Sequence, residues 1–169
     1  WGPMHWGHAV SRDLVHWEHL PIALAPDEIG AIFSGSAVVD TANSAGFGAG
    51  ALVAIFTTDA DGEQVQSLAS STDRGRTWTK YAGNPVLKAP NNLRNFRDPK
   101  VIWYDTSDGS GDGSGDGSGD GGGHWVMLVA AGNAILFYTS PDLKHWESSG
   151  GFGFGYGATG GVWETPDLF

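Results

Sequence analysis

Three segments of the chain repeat one pattern: "SRDLVHWE" at 11–18, "STDRGRTW" at 71–78 and "SPDLKHWE" at 140–147. Each reads Ser-x-Asp and then a tryptophan, and the aspartates Asp13, Asp73 and Asp142 recur after 60 and then 69 residues. Strand-like stretches precede them: "WGHAV", "QVQSLAS" and "AILFYT". Ser and Asp side chains can hold backbone N–H groups a few residues on and so fix a tight turn, while the following Trp supplies a large apolar plug. The repeat therefore marks the same hairpin turn in successive sheets, with a period of about one four-stranded unit. No stretch has sustained helical periodicity, and 27 glycines would weaken any helix. The chain reads as all-β, and repeated four-stranded units with Trp plugs point to a β-propeller. About three units fit in 169 residues, fewer than the roughly four at which propeller rings close.

A hairpin is expected at "WVMLVAAGNAILFYT", where Gly132-Asn133 separates two apolar runs, and further strands at "IFSGSAVV", "ALVAIFT" and "VIWY". The tract at 106–123, "TSDGSGDGSGDGSGDGGG", has no apolar residue and reads as a flexible surface insertion between two strands. The spacing of its Asp108, Asp112, Asp116 and Asp120 matches neither an EF-hand loop nor a calcium-binding nonapeptide. The chain opens on Trp1 in an aromatic stretch and stops on the apolar Phe169, so it reads as cut from something longer.

Nineteen acids against nine bases give a net charge of -10, which argues against nucleic acid or an anionic membrane surface as the partner. The longest apolar runs fall far short of the roughly 20 residues a membrane helix needs. With no cysteine, disulfides, thiolate metal sites and cysteine nucleophiles are excluded, and the compartment stays open. His5 and His8, like His16 and His19, are three apart, but on strands and turns that spacing points them to opposite sides. No metal and no cofactor is expected, and neither a serine-nucleophile elbow nor a phosphate loop is present.

Catalytic groups should occur once, whereas Asp13, Asp73, Asp142, Glu18 and Glu147 belong to the repeat. Two carboxylates stand outside it: Asp98 in "NFRDPK" and Glu164 in "VWETPD". Pro99 should hold Asp98 extended. Arg97 and Lys100 on either side should keep it ionised. Glu164, beside Trp163 and small residues, is expected to lose part of its water and so to have a raised pKa. Two carboxyls pushed apart in this way suit acid–base work, glycoside hydrolysis in particular. A local Arg97–Asp98 ion pair and a strand-end Glu164 would explain the same residues without chemistry. Trp1, Trp6, Phe33, Trp163 and the "GFGFGYG" run lie outside the turn repeat, and flat rings beside polar groups suit sugars, though core packing accounts for any single ring.

Taken together, "WGPMHWGHAVSRDLVHWEHLPIALAPDE" at 1–28, "FSGSAV" at 33–38, "FRDPKV" at 96–101, "FYTSPDLKHWE" at 137–147 and "GGVWETPDLF" at 160–169 resemble the β-fructofuranosidases of glycoside hydrolase family 32: invertases, levanases, exo-inulinases and sucrose-6-phosphate hydrolases. The resemblance spans nearly the whole chain. It implies part of an N-terminal five-bladed propeller domain with a funnel on its axis, and retaining hydrolysis of terminal β-D-fructofuranosyl linkages in sucrose or fructans. On that resemblance Glu164 matches the acid/base and Asp98 the transition-state stabiliser, with Arg97 alongside. Phe33 and Ser34 match the motif that contacts the fructosyl unit, and Trp6 a tryptophan of the pocket wall.

Two departures stand out. Thr165 occupies a position where the family usually has cysteine. The family's nucleophilic aspartate lies in a Trp-Met-Asn-Asp-Pro-Asn-Gly-like motif that would fall just before Trp1, and no such motif occurs in these 169 residues. Without a nucleophile no covalent fructosyl intermediate can form, so the polypeptide alone is expected to be inactive. A non-catalytic sugar-binding propeller is the alternative. A sialidase-like propeller is a third reading, because "STDRGRTW" resembles the Asp-box turn, a scaffold feature of many propellers. "RDPK" and "FYTSPDLKHW" lean by resemblance toward bacterial levanase or exo-inulinase types. Secretion fits polymeric fructans, and phosphorylated sucrose would imply cytoplasm.

Overall fold

Each repeated serine closes a strand. In a computed structural model that describes residues 2–106 and 122–169, Ser11 ends β1 (Ala9–Ser11), and β2 (Trp17–His19) follows the first turn. Ser71 ends β5 (Glu63–Ser71), which follows β3 (Ala31–Asp40) and β4 (Ala51–Ala60) and precedes the short β6 (Thr79–Lys80) and β7 (Leu87–Lys88). Ser140 ends β10 (Ile135–Ser140), after β8 (Phe96–Asp105) and β9 (Gly123–Ala131) and before β11 (Glu147–Phe152). The three turns share their chemistry. The serine Oγ accepts the aspartate N–H at 3.2, 3.4 and 3.1 Å in the three copies. The aspartate Oδ1 in turn accepts backbone N–H groups two to four residues on. The residue three after each serine (Leu14, Arg74, Leu143) takes a positive φ of 63–64°, which lets the chain reverse.

The His16 backbone N–H leads the donors that hold the Asp13 carboxyl far below the usual range, and the Thr77 hydroxyl leads those of Asp73. At Asp142 burial pushes the other way, and the His145 ring and backbone donors outweigh it. A carboxyl whose folded pKa is depressed contributes stability that is complete above its unfolded pKa of about 4 and is lost as pH falls below it. Asp73→Asn is therefore expected to lower the thermal midpoint at pH 7 and to flatten its decline between about pH 4 and pH 2. Thermal scans across that range check it, and a variant with the parent's acid slope would contradict the assignment.

The plug role holds for two of the three tryptophans. Trp146 packs on the main core and Trp78 on a second one, whereas Trp17 is 53% exposed. The sheets also differ from three equal blades. β8–β11 form one four-stranded antiparallel sheet in the order β11-β10-β9-β8, and β3-β4-β5-β6 form another, with β7 beside β5. β1 and β2 make only a two-stranded piece. The architecture is all-β, with three sheets and no α-helix among the described residues.

Successive residues of β4 point to opposite faces, and both faces are buried, which is why "ALVAIF" reads as a continuous apolar run. Val53 and Ile55 face the main core with Leu68, Phe96, Met127, Val129 and Tyr138, joining the two larger sheets. Ala54 and Phe56 face the other way, onto Leu24, Ile32 and Trp6.

Two irregularities in these sheets matter more than the regular parts. The β3–β4 register shifts between Ile32 and Gly35, and the β8–β9 register between Arg97 and Lys100. At the first, Gly35 passes so close to β4 that an added Cβ would lie 2.0 Å from the Ile55 carbonyl oxygen. At the second, Asp98 is not extended as its neighbour Pro99 suggests, but has φ 61°. Pro99 disfavours only the right-handed helical region, and the bulge carries Asp98 to the opposite side. β8 also begins earlier than "VIWY", taking in the whole of "FRDP". Ser36 ties the two irregular strands together, its hydroxyl donating to the Pro99 carbonyl at 2.9 Å and accepting the Val101 N–H at 3.1 Å.

Residues 107–121 of the Gly/Ser/Asp tract, including its four spaced aspartates, lie outside the described residues, as does Trp1. The tract's flanks meet side by side, the Thr106 N–H donating to the Gly122 carbonyl at 2.8 Å. Among the described residues no helix is long and apolar enough to cross a membrane.

Candidate active site

Bulges turn side chains that a regular strand would bury or expose on a fixed face. The β3 bulge carries Phe33 and Ser34, and the β8 bulge carries Asp98. Both open onto one hollow of about 320 Å³, which Trp6, Arg97, Glu164 and Thr165 also line. All six site residues expected from the sequence thus meet in one place. Trp6 is fixed there by its indole N–H, which donates to the Phe33 carbonyl at 2.9 Å, and by its tilted packing on Phe56 at 5.8 Å.

The charged corner of the hollow is a hydrogen-bonded unit. Arg97 Nη2 donates to Glu164 Oε1 at 2.9 Å, and Arg97 Nη1 to Asn95 Oδ1 at 2.9 Å. The Thr165 N–H donates to Asp98 Oδ2 at 3.0 Å. Residues distant in sequence are therefore locked together by a guanidinium on one carboxylate and a backbone amide on the other. Such charge-assisted contacts fix direction as well as proximity. Asp98 is 8% exposed, and among the described residues no donor reaches its Oδ1.

The electrostatic expectations fare differently. Arg97 and Lys100 flank Asp98 in sequence, but Arg97 pairs with Glu164 and Lys100 with Asp167 at 2.8 Å. The Arg97–Asp98 ion pair does not form. Glu164 is not stripped of water by Trp163 either, since its side chain is 61% exposed. The Trp163 ring instead leans over Gly153, where an added Cβ would meet it at 2.6 Å, and its indole N–H donates to the Ala158 carbonyl at 2.9 Å.

The aromatic residues divide. Trp6 and Phe33 line the hollow that holds Asp98. Trp163 and Phe152 line a second, mostly apolar hollow of about 570 Å³, which Glu164 also lines. Phe154 and Tyr156 are 62% and 75% exposed and line neither. Among the described residues no group of three or more His, Asp or Glu could hold a metal ion.

Several contributors went unread in the sequence. Thr57, Gln64 and Gln66 are buried polar residues on β4 and β5 that hydrogen-bond to the β8 bulge from behind. Their signal was present: "TT" directly follows the apolar run "ALVAIF", "QVQ" sets two amides on one face of its strand, and a buried polar side chain needs a partner.

An all-β sheet assembly with two carboxylates in a sugar-sized hollow is the form of a propeller glycosidase domain. The chain belongs to glycosyl hydrolase family 32: the model of that family's N-terminal domain matches residues 1–111 and 117–169. Over its full length it is 58% identical to a levanase of Bacillus subtilis (strain 168), of which it covers 23%. It superposes on the crystal structure of an exo-inulinase from Aspergillus awamori with a TM-score of 0.78 and 38% identity, covering 97% of this chain and 34% of that one. With a fructofuranosidase from Schwanniomyces occidentalis complexed with fructose the TM-score is 0.82 at 37% identity, covering 100% of this chain and 31% of that one. These neighbours are five-bladed β-propeller enzymes. The chain spans about a quarter to a third of the length of these relatives.

Proposed function

We propose that residues 1–169 supply one side of a retaining β-fructofuranosidase site, which releases terminal β-D-fructofuranosyl units from sucrose or fructans. One observation carries this reading. Arg97, Asp98, Glu164 and Thr165 form a single hydrogen-bonded corner in the hollow that Trp6, Phe33 and Ser34 complete. Glu164 is the acid/base that protonates the leaving oxygen and then activates water. Arg97 aims the Glu164 carboxyl. Asp98, buried and with no donor on Oδ1 among the described residues, grips fructose hydroxyls and stabilises the positive charge that develops on the sugar ring. Phe33, Ser34 and Trp6 contact the fructosyl unit. The nucleophile comes from outside these 169 residues.

The relatives support the substrate class: one is named a levanase, another an extracellular exo-inulinase of Aspergillus niger, and a third was solved with fructose bound. A secreted setting suits a fructan-cleaving protein of this kind. The test is a chimera in which residues 1–169 replace the matching segment of the Bacillus subtilis levanase. It is expected to release fructose from sucrose, levan and inulin, while the 169-residue chain alone releases none. A folded chimera without turnover that still binds fructose would favour a sugar-binding domain instead.

A further inference from the structure

The β8 bulge is held by side chains that face away from the hollow. Thr57 of β4 and Gln66 of β5 stand directly opposite one another, and both are fully buried. Their hydrogen bonds have only one consistent direction. The Phe96 carbonyl can only accept, so the Gln66 amide must turn its Nε2 toward it, at 2.9 Å. That places Gln66 Oε1 against the Thr57 hydroxyl, which donates to it at 2.8 Å. The hydroxyl proton is thereby committed, and the Thr57 oxygen presents a lone pair to the Asp98 N–H at 2.9 Å. This chain of donors and acceptors meets the backbone at the residue whose φ is 61° and whose carboxylate lines the hollow. Gln64, 8% exposed, does the parallel work one step along: its Oε1 accepts the Phe96 N–H at 2.8 Å and Arg97 Nη1 at 3.4 Å.

We propose that Thr57 and Gln66 are positioning residues of the site, which hold the Asp98 backbone in its left-handed bulge so that the carboxylate faces the bound sugar, with Gln64 steadying Arg97 beside it. The proposal rests on the role given to Asp98 above. Neither Thr57 nor Gln66 lines the hollow. Polar side chains buried this deeply are an uncommon choice for a strand interior unless they satisfy a backbone that the ladder leaves unpaired.

The test has two arms. In the 169-residue chain, hydrogen exchange of the Asp98 amide is compared between the parent and Thr57→Val, an isosteric change that removes only the hydroxyl. Exchange at Asp98 is expected to rise by about tenfold or more while Val53 and Met127 stay protected, and Thr57→Ser should restore the parent rate. In the chimera, Thr57→Val is expected to lower kcat about tenfold or more, with KM within about threefold, and Thr57→Ser should recover most of it. Gln66→Met, similar in volume but unable to orient the Thr57 hydroxyl, should show the same pattern to a lesser degree. Unchanged Asp98 exchange in Thr57→Val overturns the proposal, as does kcat within twofold of an active parent chimera. Equal loss in Thr57→Val and Thr57→Ser overturns it too, because packing and not the hydroxyl would then be responsible. An inactive parent chimera removes the catalytic reading of Asp98, and the exchange arm still decides whether Thr57 holds the bulge.

Discussion

In the levanase chimera, Glu164→Gln is expected to lower kcat on sucrose by about 100- to 10,000-fold, the range over which a positioned proton donor contributes. Glutamine keeps an oxygen for Arg97 Nη2, which donates to Glu164 Oε1 at 2.9 Å, so the corner of the hollow should stand and KM should change little. What it lacks is a proton to give. The distinction can be read from the leaving group. From fructosyl fluoride, fluoride ion leaves without needing a proton, so the first step on that substrate should lose far less than the first step on sucrose. Turnover of sucrose within a few-fold of the parent would reject the acid/base role, and an equal loss on both substrates would point to disturbed geometry instead.

The second large effect is expected at Asp98. Asp98→Asn preserves shape and one acceptor, which the amide would turn toward the Thr165 N–H now 3.0 Å from Oδ2. The NH2 group then takes the place of Oδ1, and a donor faces the sugar where a charged acceptor stood. Loss of one preorganised electrostatic contact to a transition state costs about 100- to 1,000-fold in rate. Because the fructosyl unit is common to sucrose, levan and inulin, kcat/KM should fall by a similar factor on all three. Near-normal fructose release would reject the role, and a fall confined to one polymer would place Asp98 against the leaving portion of the substrate.

The turns were the most legible part of the fold. Ser-x-Asp is a local device whose hydrogen bonds span at most four residues, so "SRDLVHWE", "STDRGRTW" and "SPDLKHWE" carry their own geometry wherever they sit. The meeting of Asp98 and Glu164 was legible only through family resemblance, because nothing local in "RDP" or "WETP" says that one will face the other. The partners of the two cations beside Asp98 were not legible locally either. Neighbours in sequence need not pair: across the bulge Arg97 reaches Glu164, and Lys100 reaches Asp167. Asp98 is not extended because the bulge, and not Pro99 alone, sets its backbone. The Asp98 N–H is met by the buried Thr57 hydroxyl of the other large sheet, a contact between residues 41 apart that no local signal announces.

Ser36 gives the hollow a mechanical property. One hydroxyl on β3 grips both the Pro99 carbonyl and the Val101 N–H of β8, and with the Thr57, Gln64 and Gln66 contacts to the same strand it fastens the two larger sheets to each other at the hollow. Sliding one sheet past the other would have to break these bonds together.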